Sequence, residues 1–265
     1  MRQPLIFLEL ESWLQRTGKG ILLLGDTLFK LFSGRVDVRN TTLQMMSVGP
    51  ASLPITLITA AVIGMIFTIQ VAREFLALGA GSAVGGILLL ALARELCPIM
   101  TAVVVAGRVG SAFAAEIGTM RVTEQIDALY MLNANPVEHL VIPRLLACCI
   151  MVPILSVLAL VTGMFGGALI ASQFYNIANE VFFESIQSFV QPWDILCGPI
   201  KGIVFGGLIA IIGCNWGLTT RGGAKGVGES TTAAVVTALL AIFVADFLLS
   251  WIMFQGDGSG TVLGG

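Results

Sequence analysis

Apolar residues are concentrated in five stretches of the chain, and shorter segments between them hold most of the charges. Each stretch has room for the roughly 20 residues that a helical bilayer crossing needs. Because backbone groups in hydrocarbon must hydrogen-bond within their own segment, the five stretches are predicted to be helices. These predicted spans are about 53–72, about 83–107, a part of 145–172, about 195–216 and about 231–254.

Residues 5–32 carry too many charges to cross a membrane, but their apolar positions recur with helical spacing. On a helical wheel of about 100° per residue, the apolar side chains fall within about 60° of one line. The charged side chains lie about 100° or more from that line. We therefore predict a helix in the cytoplasmic membrane interface, with packing on a soluble core as the alternative. The apolar set is Ile6, Leu10, Trp13, Leu14, Ile21, Leu24, Leu28 and Leu31, and the charged set is Glu9, Glu11, Arg16, Lys19, Asp26 and Lys30.

The composition supports a membrane protein. Hydrophobic residues make up 56% of the chain and charged residues 11%, with a mean hydropathy of +0.93, whereas soluble domains carry about 25% charged residues. The net charge of −2 gives no reason to expect nucleic-acid binding. No signal peptide is expected, since Glu9 and Glu11 stand where its basic and apolar regions should be. The cysteines have no C-x-x-C spacing and are predicted to be buried thiols without a metal: Cys97, Cys148, Cys149, Cys197 and Cys214.

The distribution of Lys and Arg predicts the orientation of the chain in the membrane. These residues occur before residue 53 and in the connections after the second and fourth spans, but not in 173–194 or after 254. Arg73, near the first outer connection, is the exception. Because cytoplasmic loops carry an excess of Lys and Arg, we predict a cytoplasmic N-terminus and an outer C-terminus.

Four charged residues lie inside the predicted spans: Arg94, Glu95, Lys201 and Asp246. Charges in lipid are costly, so each is a candidate functional residue, with a structural ion pair as the alternative. Neighbours on a helix point about 100° apart, so Arg94 and Glu95 are expected to meet different partners. Lys201 lies about two turns from the outer end of its span and could reach an outward-facing cavity. Asp246 is expected to be structural and held by neighbouring hydroxyl groups.

The segment 107–132, which follows the second span, is amphipathic. It is predicted to form a docking surface for a partner outside the membrane, with a solvated connecting helix as the alternative. Its polar positions are Glu116, Arg121, Glu124 and Asp127, and its apolar positions are Ile117, Met120, Ile126 and Leu129.

No nucleotide-binding motif is found in the chain. The loop GLTTRGGAKGVG, residues 217–228, has glycine where a phosphate-binding loop requires lysine after its second glycine. Any ATP must therefore be hydrolysed by another chain. The single histidine, His139, is expected at the surface, which disfavours an intramembrane hydrolase that would need a base beside a nucleophile.

The run RELCPIMTAVVVAGRVGSAFAAEIGTMRVTEQIDAL, residues 94–129, resembles the signature of the MlaE/YrbE-type permeases. These proteins are the membrane subunits of ABC lipid transporters that work with MCE proteins, and the plastid TGD1 permease is a relative. The resemblance extends through PRLLACCIMVPIL, residues 143–155, and DFLLSWIMF, residues 246–254. One departure is Cys97, where the family usually has glycine before the proline.

The resemblance implies a homodimer of all-α, five-span subunits, each with an N-terminal interfacial helix. Residues of about 112–131 would form the coupling helix that docks on the ATPase through Glu116, Arg121, Glu124 and Asp127. Arg94, Glu95 and Lys201 would line a lipid pocket at the dimer centre. An MCE-domain protein would form a ring on the outer face. ATP and Mg would bind in the partner ATPase, so no cofactor is expected on this chain.

Taken together, the patterns predict an interfacial segment 1–52, a permease domain 53–254 and an outer tail 255–265. The predicted function is to move lipid, in particular phospholipid, between a bacterial inner membrane and an MCE-protein ring, powered by a separate ATPase subunit. Two alternatives stay open. An ion-coupled secondary transporter would titrate Glu95 or Asp246, although no convincing inverted repeat is found, and a membrane scaffold would have no transport function.

Overall fold

The computed structural model describes Arg16 and residues 18–30 and 37–254, and this part of the chain is helical without a β-strand. Within these described residues, five helices are long and apolar enough to cross a membrane, so the predicted all-α membrane fold is confirmed. We number the helices α1 (Val38–Ala77), α2 (Gly81–Val122), α3 (Gln125–Met131), α4 (Val137–Tyr175), α5 (Asn179–Phe189), α6 (Pro192–Leu218) and α7 (Gly223–Phe254).

The spanning helices extend beyond the apolar stretches that predicted them. Helix α1 has 40 residues, which correspond to about 60 Å at 1.5 Å per residue, or about twice the hydrocarbon thickness. Its first turns carry polar residues, and the Thr41 hydroxyl donates to the Asp37 carbonyl over 2.9 Å. Hydropathy marks where a helix enters lipid, whereas backbone hydrogen bonding decides where the helix begins.

Three π-helical turns interrupt the long helices, at Leu92–Leu96 and Ala106–Gly110 in α2 and at Val137–Val141 in α4. Such turns hold an extra residue and are often found at functional sites. The first contains Arg94 and Glu95. The second lies where the sequence predicted the end of the span, but α2 continues through it to Val122.

The expected coupling helix over 112–131 is two helices instead of one. Helix α2 ends at Val122, and α3 begins at Gln125 after Glu124, whose φ of 61° is left-handed. The Thr123 hydroxyl donates to the Thr119 carbonyl over 2.9 Å. The same bond occurs within continuous helices, for example from Thr68 to Gly64, so the break itself lies at Glu124, whose N–H bonds the Arg121 carbonyl three residues before it. Composition alone did not predict the break, because the apolar period continues across it.

The chain forms two compact units, and the long helices contribute to both. Unit 1 contains the described residues up to Val48 with Val105–Cys149 and Gly206–Ala241. Its N-terminal part is helical over 18–30, which agrees with the predicted helix; the remainder of 5–32 lies outside the described residues, except Arg16, and so does the tail 255–265.

Unit 2 contains Gly49–Val104, Ile150–Phe205 and the described residues from Ile242. Helices α1 and α4 approach backbone to backbone in it, since a Cβ atom on Gly64 would lie 2.0 Å from the Gly163 carbonyl oxygen. A Cβ atom on Gly166 would lie 2.7 Å from the Ala61 carbonyl oxygen. Small residues permit this close packing of helices in lipid.

Candidate functional site

Unit 2 gathers the intramembrane charges around Lys201 in a group that we name the Lys201 cluster: Lys201, Glu95, Asp246 and Ser250. The Lys201 ammonium donates to Glu95 Oε2 over 2.9 Å and to Asp246 Oδ1 and Ser250 Oγ over 2.8 Å each. It also contacts the Arg94 carbonyl oxygen at 2.8 Å. An ammonium has three hydrogens, so its bonding capacity is fully used.

Lys201 is completely buried, with 0% of its side chain exposed. A buried charge is tolerated when it is paired and hydrogen-bonded, and Lys201 meets both conditions. The Lys201 ammonium therefore faces these partners within the chain, and its predicted place in the lipid pocket of a dimer stays a prediction. Asp246 was expected to be held by hydroxyl groups, but its partner is the lysine.

Arg94 forms a separate ion pair with Asp194. Its Nε and Nη2 atoms lie 2.8 Å and 2.5 Å from Asp194 Oδ1, and its guanidinium lies 4.3 Å from the centre of the Phe254 ring. Asp194 is buried in the first turn of α6, where its Oδ2 accepts the Gln191 backbone N–H over 2.9 Å. Arg94 and Glu95 thus meet different partners, as helical geometry predicted.

The accessible part of these ion pairs consists of Arg94 and Glu95. Arg94 keeps 35% of its side chain exposed and Glu95 keeps 39%, whereas Lys201 and Asp194 are buried. We name Arg94 and Glu95 together the open edge. A ligand could therefore contact Arg94 and Glu95, whereas their ion-pair partners Asp194 and Lys201 are buried and fix the positions of the two exposed side chains.

Sequence reasoning missed Asp194, Ser250 and Phe254. Ser250 and Phe254 follow Asp246 at intervals of four residues, which places all three on one face of α7. That spacing was a usable signal. Asp194 resembled an ordinary acidic residue at a helix start, which stabilises the helix N-terminus without any further partner.

The residues predicted to contact an ATPase lie in unit 1, at the ends of α2 and α3. Glu116 accepts a 2.8 Å bond from Arg144, whose guanidinium lies 5.3 Å from the centre of the Phe113 ring. Arg121 donates to Asp127 over 2.6 Å across the helix break. Glu116 and Asp127 remain half exposed, and Glu124 is exposed in the break. The four residues therefore stay accessible, although three of them also hold the helices together.

An exposed apolar tip follows at the end of α3, and sequence reasoning did not single it out. Tyr130, Met131 and Leu132 are exposed, and Met131 reaches 90%. Three consecutive apolar residues do not follow the spacing of one helix face, so helical periodicity did not indicate them. Exposed contiguous apolar side chains are typical of a contact with another protein or with a membrane.

Comparison with known proteins identifies the family. The family model described as Permease MlaE matches residues 41–252, a range that includes the open edge, the Lys201 cluster and α3. The chain belongs to the MlaE permease family. This MlaE permease is 58% identical over 256 residues to the "Probable ABC transporter permease protein slr1045" of Synechocystis, covering 97% of each chain.

Further relatives of this MlaE permease occur in a plant and in a second bacterium. It is 47% identical over 237 residues to the Arabidopsis thaliana "Protein TRIGALACTOSYLDIACYLGLYCEROL 1, chloroplastic", covering 89% of this chain and 68% of the plant protein. It is 37% identical over 212 residues to the "Probable ABC transporter permease protein RP096" of Rickettsia prowazekii, covering 80% and 82% of the two chains. Membrane subunits of ABC transporters are thus its relatives.

Proposed function

We propose that this MlaE permease is the membrane subunit of an ABC transporter that moves lipid, with phospholipid as the substrate class. The observation that carries the proposal is the open edge, a half-exposed arginine and glutamate on a membrane-spanning helix, fixed by buried partners. Ionisable residues inside a membrane often mark substrate or ion pathways, which makes them functional-site candidates. The plant relative is named after a glycolipid, trigalactosyldiacylglycerol, and this name favours a lipid substrate.

Two copies of the permease would enclose a cavity with the open edge in its wall. Arg94 would bind the anionic headgroup, because a guanidinium forms charge-assisted, often bidentate, hydrogen bonds with phosphate oxygens. Glu95 would adjust the local field. Lys201 would position both residues through Glu95 and the Arg94 carbonyl oxygen, since its complete burial leaves no atom for lipid contact. Apolar side chains of the spans would accommodate the acyl chains.

A separate ATPase would drive the cycle from the cytoplasmic face and would bind the ATP and Mg. It would dock on Glu116, Arg121, Glu124 and Asp127 at the junction of α2 and α3, and on the apolar tip of α3. An MCE-domain ring on the outer face would exchange lipid with the cavity. The transporter would alternate between two conformations, and lipid can shift the equilibrium between them only if it binds one more tightly than the other.

We place the permease in a bacterial inner membrane with its N-terminus in the cytoplasm and its C-terminus in the periplasm. The Lys and Arg distribution supports this orientation, and the relatives from Synechocystis and Rickettsia are bacterial. We favour the ATP-driven mechanism over ion coupling. Glu95 and Asp246, the carboxylates that ion coupling would titrate, are both engaged by the Lys201 ammonium.

Charge reversal at the open edge tests the proposal. In the reconstituted complex with its ATPase, Arg94→Glu is expected to raise the lipid concentration that gives half-maximal stimulation of ATP hydrolysis by roughly 10- to 100-fold. This factor corresponds to the loss of one hydrogen bond to a charged group. Arg73→Glu is the matched control, since Arg73 is an exposed arginine of α1 outside the cluster. Unchanged stimulation by lipid in Arg94→Glu would refute the role of the open edge.

A further inference from the structure

Unit 1 contains a cavity of about 420 Å³ beside the helical segment 18–30. This volume lies within the roughly 300–1,000 Å³ that is typical of small-molecule sites. We name it the basic cavity, because four of its lining side chains are cationic. The lining residues are Arg16, Lys19, Arg121, Arg221, Leu218, Thr219 and Thr220.

Among the described residues, most of the positive charge around the basic cavity has no paired carboxylate. Arg121 is paired with Asp127 at 2.6 Å. Within the described part of the chain, no carboxylate lies within 4.0 Å of Arg16, Lys19 or Arg221. Three cations that share one cavity repel one another, and an anion between them would lower the electrostatic energy of all three.

Specific contacts fix the position of Arg16 at the basic cavity. Its guanidinium lies 4.9 Å from the centre of the Trp216 ring, and its carbonyl oxygen accepts a 2.8 Å bond from Asn215 Nδ2. One turn later, Gly20 passes Asn215 so closely that a Cβ atom would lie 3.3 Å from Asn215 Nδ2. Asn215 and Trp216 are buried, so the N-terminal segment is attached to a fixed part of α6.

The same segment also presents apolar side chains to its surroundings. Ile21, Leu22 and Phe29 are each exposed, whereas a surface helix of a soluble protein turns such residues toward the core. A helix of this kind lies at the membrane interface, with its apolar side chains among acyl chains. The segment thus offers cations and hydrocarbon contacts within a few turns of each other.

We propose that the basic cavity binds a phosphate-bearing anion, namely the headgroup of an anionic phospholipid in the cytoplasmic leaflet. Basic pockets between spanning helices on that side are suited to such headgroups. A free phosphate would satisfy the cations but would make no use of the exposed apolar side chains. The site shares no residue with the Lys201 cluster, and it shares only Arg121 with the proposed ATPase contact. Its lipid anchors the segment 18–30 to α6 rather than being transported.

Native mass spectrometry of the purified full chain tests the proposal. Phosphatidylglycerol and phosphatidylcholine with identical acyl chains are added in turn, and the retained lipid is counted. The double variant Lys19→Gln/Arg221→Gln is expected to bind phosphatidylglycerol about 25-fold more weakly, from about fivefold per cation, with phosphatidylcholine unaffected. Both side chains are exposed, and the variant keeps the contact of Arg16 with Trp216, so folding is expected to be preserved.

Lys225→Gln is the matched control, because Lys225 is an exposed lysine near Arg221 that lies 3.8 Å from Glu229 and does not line the basic cavity. It should leave phosphatidylglycerol retention unchanged. Equal retention by the wild type and the double variant would overturn the site. Stabilisation of the wild type by inorganic phosphate without any preference for phosphatidylglycerol would overturn the lipid assignment. If the double variant retains lipid like the wild type but no longer co-purifies with the ATPase, the basic cavity is a protein contact. That result would also overturn the lipid assignment.

Discussion

The Lys201 cluster and the basic cavity hold positive charge in opposite ways. Lys201 is buried and bound by two carboxylates, a hydroxyl and a carbonyl oxygen. Around the basic cavity, Lys19 and Arg221 are exposed and have no carboxylate partner among the described residues. The difference follows from the surroundings, because hydrocarbon does not solvate an unpaired charge whereas interfacial water does. Among the described ion pairs of unit 2, only Arg94 and Glu95 keep about a third or more of their side chains exposed.

The largest effect is expected from removal of the central cation. Lys201→Met would leave Glu95 and Asp246 buried or half-buried without their partner, which is expected to destabilise the fold by about 3–5 kcal/mol. Thermal unfolding of the purified protein in detergent measures this. Lys225→Met at the exposed start of α7 should change stability by less than about 0.5 kcal/mol. If both variants unfold at the wild-type temperature, the Lys201 cluster is not a buried ion network.

A smaller effect is expected at the edge of the network. Asp194→Asn would remove the negative charge that holds Arg94 but would keep an oxygen for the Gln191 N–H. Because Arg94 is one-third exposed, water compensates part of the loss, and the expected destabilisation is about 1–3 kcal/mol. The same unfolding assay gives the value. A loss as large as that of Lys201→Met would mean that Arg94 is buried in the assembled protein.

The smallest effect on stability is expected at the junction of α2 and α3. Asp127→Asn would break the exposed pair with Arg121, which is worth about 0–1 kcal/mol. If the junction docks on the ATPase, co-purification of the two subunits should nevertheless fall. Asp26→Asn is the control, since Asp26 forms a comparable exposed pair with Lys30 in the N-terminal segment. Equal recovery of the ATPase with both variants would contradict docking at Asp127.

The membrane fold could be predicted from the sequence because a helix that crosses lipid must be apolar over most of its length. A run of about 20 apolar residues in a chain with few charges has few alternatives to a spanning helix. The same reasoning singled out Arg94, Glu95, Lys201 and Asp246, since each is costly in lipid. The structure brings all four into one unit and adds Asp194 and Ser250 as partners.

The remaining features depend on information that hydropathy does not contain. The break at Glu124 depends on backbone conformation, namely its left-handed φ and the bond of its N–H to the Arg121 carbonyl three residues before it. The burial of Lys201 depends on which helices pack around it, and a single span does not encode its neighbours. The basic cavity combines residues from three separate parts of the chain, namely the N-terminal segment, the end of α2 and the end of α6 with the residues that follow it. No single part of the sequence contains the whole site.

The role of the open edge is tested most directly by an experimental structure of the permease with its ATPase in lipid nanodiscs. We expect two copies of the chain, with a lipid headgroup within hydrogen-bonding distance of the Arg94 guanidinium and with Lys201 still bound to Glu95 and Asp246. A structure in which Arg94 is covered by protein, and lipid occupies a cavity that neither Arg94 nor Glu95 lines, would contradict the proposed mechanism.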